Sequence, residues 1–513
     1  MISTHFFWLS NPKFLKTKKN NLMTNRILSL LILSVLAYAG LHAQSFTDAL
    51  RYSHFETGGT ARSIGVGGAL GALGSDFSVL STNPAGMGWY RSSEFVISPS
   101  FFNASTESLL VNDKENTPME ESRTNFNLNS FGVVVASRPR SASWSTFNFG
   151  VGLNRLANFN QYYYYRGMSE GSIVDRFLEQ ANSNEGISDF ESGLAIDAEG
   201  LYDQNPQDGI YESDFQLAPE ALVRRQQSVD TRGSINELVF AFAGNYKERL
   251  LIGATIGVPF LSFREEKGYE EDDPNNEVPF FTDLTYTERL TTTGAGINLK
   301  LGMIYRVHQA MRLGFAVHTP TAYSLEDSYR STMEYNYLTS DDGSGDLING
   351  SAQSPDGLFE YKLRTPWRLI GSAGFIYDKL GFLSAEIEWV DYSNNELRFD
   401  GYADAERDAN AGISGQLGSA WNLRLGGELA FEVFRFRAGL GLQQSPLIDD
   451  TTISNTFSAG LGIREKNFFI DLAYQRRSAE EDYKPYLTAV STEQIVQNDV
   501  VRNQYVMTLG FKF

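Results

Sequence analysis

The last nine residues, "YVMTLGFKF", alternate without a break: Tyr505, Met507, Leu509, Phe511 and Phe513 fall on one side of the chain and Val506, Thr508, Gly510 and Lys512 on the other. Period two means a strand with two different faces. The same rhythm runs through "NLRLGGEL" (Asn422–Leu429) and "FRFRAGLGL" (Phe434–Leu442). One face carries Leu, Phe, Tyr, Ala and Gly; the other carries Arg, Glu, Ser, Thr, Asn and Gly. In a soluble sandwich the apolar face meets a second apolar sheet. In a transmembrane barrel it meets lipid, and the polar face lines the lumen.

The connections decide between the two. Strands are expected at Ser93–Phe102, Phe126–Ser137, Thr146–Phe159, Ile235–Tyr246, Leu250–Phe263, Leu284–Val307, Met311–Tyr323, Tyr361–Tyr377, Phe382–Phe399, Trp421–Ala430, Val433–Gln443, Ser454–Ile463, Phe468–Arg477 and Asn503–Phe513. Short turns ("RPRSASW", "KER", "HQA", "DKLG", "FE", "REKN") alternate with long connections: Asn103–Asn125, Asn160–Ser234, Arg264–Asp283, Ser324–Glu360, Asp400–Ala420, Gln444–Ile453 and Ser478–Arg502. A sandwich has no reason to keep that rhythm; an outer-membrane barrel does. The expected fold is all-β: a 14-stranded antiparallel transmembrane β-barrel over 93–513, with a short N-terminal plug inside its lumen. The final strand, with outward Tyr505, Phe511 and Phe513, resembles the C-terminal signal read by the barrel assembly machinery, so that machinery is an expected partner.

Composition removes other classes. The 513 residues include no Cys, so disulfides and thiolate metal sites are excluded. Arg26–Ala43, "RILSLLILSVLAYAGLHA", reads as a secretory signal peptide, with Met23 as natural start and cleavage after Ala43 or, second, Ala39. Met1–Ala43 carries five positive charges and no acid, which takes the remainder from −19 to −24. Phosphate backbones would be repelled, so nucleic acid is not a partner. The destination is the bacterial outer membrane, with its lipid around the barrel; the chain is expected to be a monomer with no cofactor.

The stretch between the leader and the first strand, 44–92, is too short for its own core and too apolar for a tail. It holds glycines 58, 59, 65, 67, 68, 71 and 74 and then "STNPAGMGWY". G-x-G-x-x-G is absent, so this is no dinucleotide site. A compact segment inside the barrel fits, where Gly brings backbone close to the wall. Asn83 and Pro84 close a turn, expected to sit against the third strand.

A segment carrying Asn83-Pro84-Ala85-Gly86, followed by fourteen strands, resembles the FadL/TodX family of long-chain fatty-acid and hydrocarbon transporters. The stretch "TPWRLIGSAGF…LSAEIEWVDYSNNEL", with Pro366, Trp367, Gly371, Trp389 and Asp391-Tyr392-Ser393, is similar to that family's late hairpin. The resemblance implies passive transport of a hydrophobic small molecule. Cargo would land among the outer loops and move to a pocket above the plug. The plug would then rearrange, and the cargo would leave sideways where the third strand is kinked. Gly150 and Gly152 are the expected kink, and Asn83, Pro84, Ala85 and Gly86 the gating motif.

The polar faces offer lumen charges: Arg368, Glu386, Glu388, Arg424, Glu428, Arg435 and Arg437, with Lys300 and Arg312 further round. Arg368, Arg424, Arg435 or Arg437 could hold a fatty-acid carboxylate. The plainer reading is a ladder of Arg–Glu pairs bracing the wall, with Glu428 and Arg435 pairing across the Phe431-Glu432 turn. Asp342, Ser344 and Asp346 have a spacing able to hold Ca²⁺ but lack the bidentate Glu of an EF-hand. "SIVDRFLEQAN" reads as a helix, either packing a loop or capping the barrel mouth. Catalysis is not expected: His54, His308 and His318 lie far apart and there is no G-x-S-x-G. Two rivals stay open: a haemin-receptor-like uptake barrel, and a barrel serving a secretion apparatus or adhesion.

Overall fold

The computed structural model describes residues 39–513 apart from 114–116, 142, 184–185, 208 and 341–343, with side chains from Phe46 onward. The leader, as far as Tyr38, lies outside the described residues. Nineteen strands form one antiparallel sheet. The first two staves are β1 (Glu94–Leu110) and β2 (Met119–Ser137), and the third is broken into β3 (Trp144–Asn158) and β4 (Gln161–Glu170). Next come β5 (Leu222–Tyr246), β6 (Leu250–Asp272) and β7 (Phe281–Arg306). The seventh stave is β8 (Met311–His318) plus β9 (Ala322–Leu338), and the eighth is β10 (Leu347–Gln353), β11 (Gly357–Arg364) and β12 (Arg368–Tyr377). The ninth is β13 (Gly381–Asp391) plus β14 (Glu396–Arg398). The last five are β15 (Ser419–Phe431), β16 (Phe434–Gln444), β17 (Ile453–Arg464), β18 (Phe468–Tyr483) and β19 (Val496–Lys512). β19 returns to β1, from Glu94↔Lys512 to Leu110↔Val496, and closes a barrel of fourteen staves. Closure leaves no sheet edge at the ends of the chain.

Side-chain alternation accounts for the membrane belt. Outward positions on β18 are Phe468, Ile470 and Leu472, all exposed, and their neighbours on β19 are Phe511, Leu509 and Met507. Phe513 is 73% exposed at the short-turn rim, where its N–H bonds to Ser93 O at 3.0 Å. Further up β18 the exposed positions become Arg476, Ser478 and Glu480. β6 has 23 residues; at about 3.3 Å each it runs about 75 Å, well beyond a ~30 Å hydrocarbon core even when tilted.

The wall above the membrane changes the expected connections. The long connections at Asn103–Asn125, Arg264–Asp283 and Ser478–Arg502 shrink to 111–118, 273–280 and 484–495, because the strands continue upward. Outside the bilayer neither face needs apolar residues. Stretches such as "REEKGYEED" keep their backbone ladder, Arg264↔Thr291 to Asp272↔Asp283, without the alternation that marks a lipid-facing strand. Asn160–Ser234 likewise holds β4, the start of β5 and two helices, α3 (Ile173–Ala181) and α4 (Ser192–Asp197), numbered after α1 (Ala39–Ser53) and α2 (Ala61–Gly65). Between β14 and β15 stands α5 (Ala403–Gln416).

The breaks have local causes. Pro320 and Pro366 lack the N–H a ladder needs, and their staves are interrupted side by side: Thr321 N donates to Thr365 Oγ1 at 2.9 Å and Thr365 N to Thr321 O at 3.0 Å. At the short turns, Lys247 and Glu248 both adopt left-handed φ (51° and 53°), the geometry of a tight hairpin.

Above the membrane, α3 and α4 pack on the tops of β5, β6, β7 and β9 through Val174, Phe177, Leu194, Tyr269, Phe281 and Tyr335. This helix therefore joins a real core beneath the outer loops. Arg225, fully buried, donates to Tyr486 Oη (2.5 Å) and to the carbonyls of Ser169 (3.0 Å) and Gly171 (2.6 Å). Glu271 Oε1 accepts from Ile173 N at 3.1 Å, favourable at a helix N-terminus. Burial pushes the Glu271 carboxyl up, against the lowering effect of Arg225.

Candidate functional site

The lumen is filled by the chain's own Phe46–Tyr90 segment. α1 packs its Ala49 and Tyr52 with Ala409 and Ile413 of α5, and Tyr52 Oη donates to Thr292 Oγ1 of β7 at 3.0 Å. Below it, Thr60 caps α2 and donates to Asp76 (2.8 Å), while Ala61 N bonds Thr508 Oγ1 of β19 (2.7 Å). A short 3-10 turn over Phe77–Ser81, capped by Asp76, leads to a second over Pro84–Trp89, capped by Asn83. Inward polar side chains of the wall satisfy the segment's backbone, as burial requires. Thr255 Oγ1 donates to Leu80 O (2.8 Å), Thr146 Oγ1 to Gly88 O (2.8 Å), and Asn148 Nδ2 to Met87 O (2.7 Å).

The Asn-Pro-Ala-Gly turn meets a different part of the wall from that expected. Asn83 Nδ2 donates to Gly71 O (2.7 Å) and Met303 O (3.4 Å), and its Oδ1 accepts from Ala85 N (3.2 Å). A Cβ at Gly253 would stand 2.5 Å from Pro84 C. The turn is thus seated on β6 and β7, on the fifth and sixth staves, not beside the third strand. Its neighbours are glycines there because only they leave room for backbone.

Gly150 and Gly152 are not a kink. Pairing runs unbroken past both, Ser130↔Asn154 to Ser137↔Phe147 on one side and Phe147↔Gly244 to Asn154↔Glu237 on the other. They serve close approach: a Cβ at Gly152 would be 2.6 Å from Phe77 Cζ, and one at Gly150 2.7 Å from Leu80 Cδ2. The third stave instead shifts register at Arg155/Ala157 and breaks at Phe159-Asn160. β3 pairs with β2 only up to Asn154, and β4 pairs only with β5. Met119–Asn129 of β2 therefore has no ladder partner on that side, and the wall carries a seam.

Three of the four proposed head-group arginines are already committed. Arg368 donates to Glu388 (2.6 Å) and lies over Phe55 (4.3 Å). Arg424 donates to Glu386 (2.9 Å) and Glu388 (2.6 Å), and Glu386 also accepts from Gly71 N (3.0 Å). Arg437, with a fully buried side chain, bonds Glu428 and Asp471, each at 2.7 Å. The bracing ladder is the arrangement present, and it also ties the segment to the wall: Arg62 reaches Glu428 at 3.4 Å. Arg435 is not part of it. It stands opposite Ala430, not Glu428, and donates to Glu432 O (2.8 Å) and Phe434 O (2.7 Å) at the short-turn rim. The Glu428–Arg435 pair fails because the two-residue turn sets Glu428 opposite Arg437.

The cation that sequence reading missed is Arg155. Among the described residues no hydrogen bond or ion pair reaches its guanidinium, and its Nε is buried without a partner. It lines a cavity of about 70 Å³ between the segment and the wall, whose other charged walls are Lys300, Arg368 and Arg424 and the carboxylates of Glu56 and Glu388. That is room for a few waters and too little for a long alkyl chain. Lys300 is neutralised by an ion pair with Glu237. The register shift at Arg155 is the signal that could have marked it, and a shift is visible only once β5 is paired.

No group of three or more His, Cys, Asp or Glu able to hold a metal occurs among the described residues. Asp342 lies outside the described residues. Ser344 and Asp346 stand in the β9–β10 connection, where Asp346 N donates to Thr339 Oγ1 at 2.9 Å.

A closed fourteen-stave barrel, belted with apolar side chains and filled by its own N-terminal segment, defines the class of protein. The particular fold is that of the FadL-type barrels. The chain is similar to the crystal structure of a Pseudomonas aeruginosa FadL homologue (14% identity, 90% of this chain, 100% of that one, TM-score 0.56). It is also similar to the toluene transporter TodX of P. putida (13% identity, 89% and 99% covered, TM-score 0.51). No protein-family model and no curated protein matches the sequence.

Proposed function

We propose that this chain is a passive outer-membrane channel for hydrophobic small molecules with an anionic end, long-chain fatty acids among them. Its leader, Met1–Ala43, is removed; 44–92 is the plug; 93–513 is the barrel, working as a monomer in outer-membrane lipid. The apolar belt supports the membrane setting. The wall seam beside Arg155 is the observation that carries the reading. A half-buried cation without a hydrogen bond or ion pair, drawn on only by the charge of Glu56, next to a gap in the wall suits a carboxylate on its way out.

Cargo collected among the outer loops descends past α1 and α5. The small polar cavity cannot take an alkyl chain, so the plug segment must shift to admit it. The carboxylate meets Arg155, while Arg368, Arg424 and Arg437 keep the wall braced. The cargo then leaves between β2 and the broken third stave. Toluene and FadL-type substrates belong to the similar barrels by name; here the free arginine favours an acid over a neutral hydrocarbon. Organic extraction of the purified barrel followed by mass spectrometry tests the reading. Bound fatty acid, reduced in Arg155→Gln, supports it. An empty lumen with a co-purifying protein supports the secretion or adhesion alternative.

A further inference from the structure

We infer that an ion pair between Arg123 of β2 and Asp230 of β5 is the latch that holds the wall seam shut. The inference rests on the proposed exit through that seam only for its functional meaning; the latch itself is a statement about the wall.

The geometry begins with β4. It pairs with β5 from Gln161↔Thr231 to Glu170↔Leu222 and with nothing on its other side. It leans into the lumen beneath the first stave. Gln161 Nε2 reaches Thr106 Oγ1 of β1 (3.3 Å), and Tyr163 stacks edge-on with Tyr483 of β18 (5.6 Å between centroids). A Cβ at Gly167 would touch Leu110 at 2.8 Å. The upper part of β2 is left outside it with an unladdered edge.

Backbone hydrogen bonds are what normally keep staves together, and here they are missing from Met119 to Asn129. Arg123 and Asp230 span that interval. They belong to strands that are not neighbours: the pairing partner of Asp230 is Tyr162, on β4 between them. An arginine that crosses one strand to pair with the next acts as a clasp over the inward-leaning stave. Both side chains are about one-fifth accessible, partly shielded yet open to salt. Asp230 is shared with Arg232 at 2.8 Å, a more exposed cation on its own strand. When Arg123 lets go, Asp230 therefore keeps a partner, which lowers the barrier to opening. Asn125, Asn127 and Asn129, further down the same strand, each carry a buried amide atom without a partner. The bonds these amides do make, Asn125 to Asn127 (2.8 Å) and Ser100 to Asn129 (2.9 Å), stay on the β1–β2 side, so opening acts on the contacts that hold β4, such as Met168 N to Asp113 Oδ1 (2.9 Å) and Arg502 to Gln161 Oε1 (2.9 Å).

The test reads the seam directly. Spin labels are placed at Ser122→Cys on β2 and Arg166→Cys on β4, both exposed, in the full-length barrel in nanodiscs. Distances are measured by pulsed electron resonance. Arg123→Ala and Asp230→Ala should each shift the distribution to longer distances, and the exchanged pair Arg123→Asp with Asp230→Arg should return it toward wild type. High salt should act like the alanine variants. A distribution unchanged in both alanine variants overturns the latch. The readout needs no cargo, so a seam that widens in a barrel carrying no fatty acid would support the latch while counting against the transport reading. If the alanine variants fail to fold, the salt titration on the labelled parent decides: no widening overturns the proposal.

Discussion

Gly302 of β7 lies directly against Asn83: a Cβ at position 302 would stand 2.1 Å from Asn83 Oδ1. The wall glycine and the asparagine of the N-terminal segment are one fitted contact. The Asn83 side chain also bonds Gly71 and caps the following 3-10 turn. The N-terminal segment is therefore keyed to the sixth stave by shape as well as by hydrogen bonds.

Gly302→Ala should unseat that turn. The barrel, held by its ladders, should keep its heat-modifiable band on a gel. Limited proteolysis should then cut within Phe46–Tyr90 faster than in the parent. Equal protection in both would show that the contact yields without moving the plug.

Asn83→Ala removes the 2.7 Å bond to Gly71 and the cap on Ala85. Such losses cost about 1–2 kcal/mol together, and about 1.4 kcal/mol is tenfold in an equilibrium. Hydrogen exchange in the plug should rise about tenfold while the barrel strands stay protected. Uniform loss of protection would mean that the turn stabilises the whole barrel.

Arg437→Gln and Arg435→Gln should differ sharply. The first removes the buried cation between Glu428 and Asp471, leaving Glu428 to Arg62 (3.4 Å) and Asp471 to Arg464 (3.2 Å), and should cost about 1–3 kcal/mol. The second removes a rim side chain bonded to carbonyls and should stay within about 0.5 kcal/mol. Urea unfolding in detergent compares them; similar midpoints would contradict the bracing role assigned to Arg437.

The cap above the membrane should tighten in acid. Burial is the leading cause that pushes Glu271, Asp214 and Asp175 up. A carboxyl raised on folding stabilises most below its unfolded value and loses that contribution as pH rises through the folded value. Exchange protection of Ile173–Leu217, corrected for intrinsic rates, should therefore increase as pH falls from 7 towards the ordinary carboxylate range. Arg225, Tyr269 and Tyr486 around Glu271, and Tyr202 and Tyr335 around Asp214, keep their charge state over that span. A decrease would mean that the Arg225–Glu271 attraction outweighs burial.

The barrel was legible because lipid imposes a simple rule. Phe468, Ile470 and Leu472 must face out, so alternation and strand count survive in the sequence. Where the wall leaves the bilayer, as at Arg264–Asp272, the rule lapses and the strand reads as loop. The contacts of the N-terminal segment were legible in kind but not in place. Asn83-Pro84 announces a turn, but its seat on Gly253 and Gly302 depends on how the segment threads the lumen. Gly150 and Gly152 read as a kink because a glycine that admits Phe77 and one that bends a strand are the same residue in sequence. Arg155 was invisible because its significance is the absence of a partner, and partners are fixed only by register.

Uptake of a radiolabelled long-chain fatty acid by cells making the full-length protein tests the central claim most directly. Wild type should take up the acid above cells with an empty vector, and Arg155→Gln, present at equal folded level, should lose most of that gain. Uptake of a neutral hydrocarbon of similar length should change little in the variant. Wild-type uptake no greater than that of empty-vector cells would contradict the account.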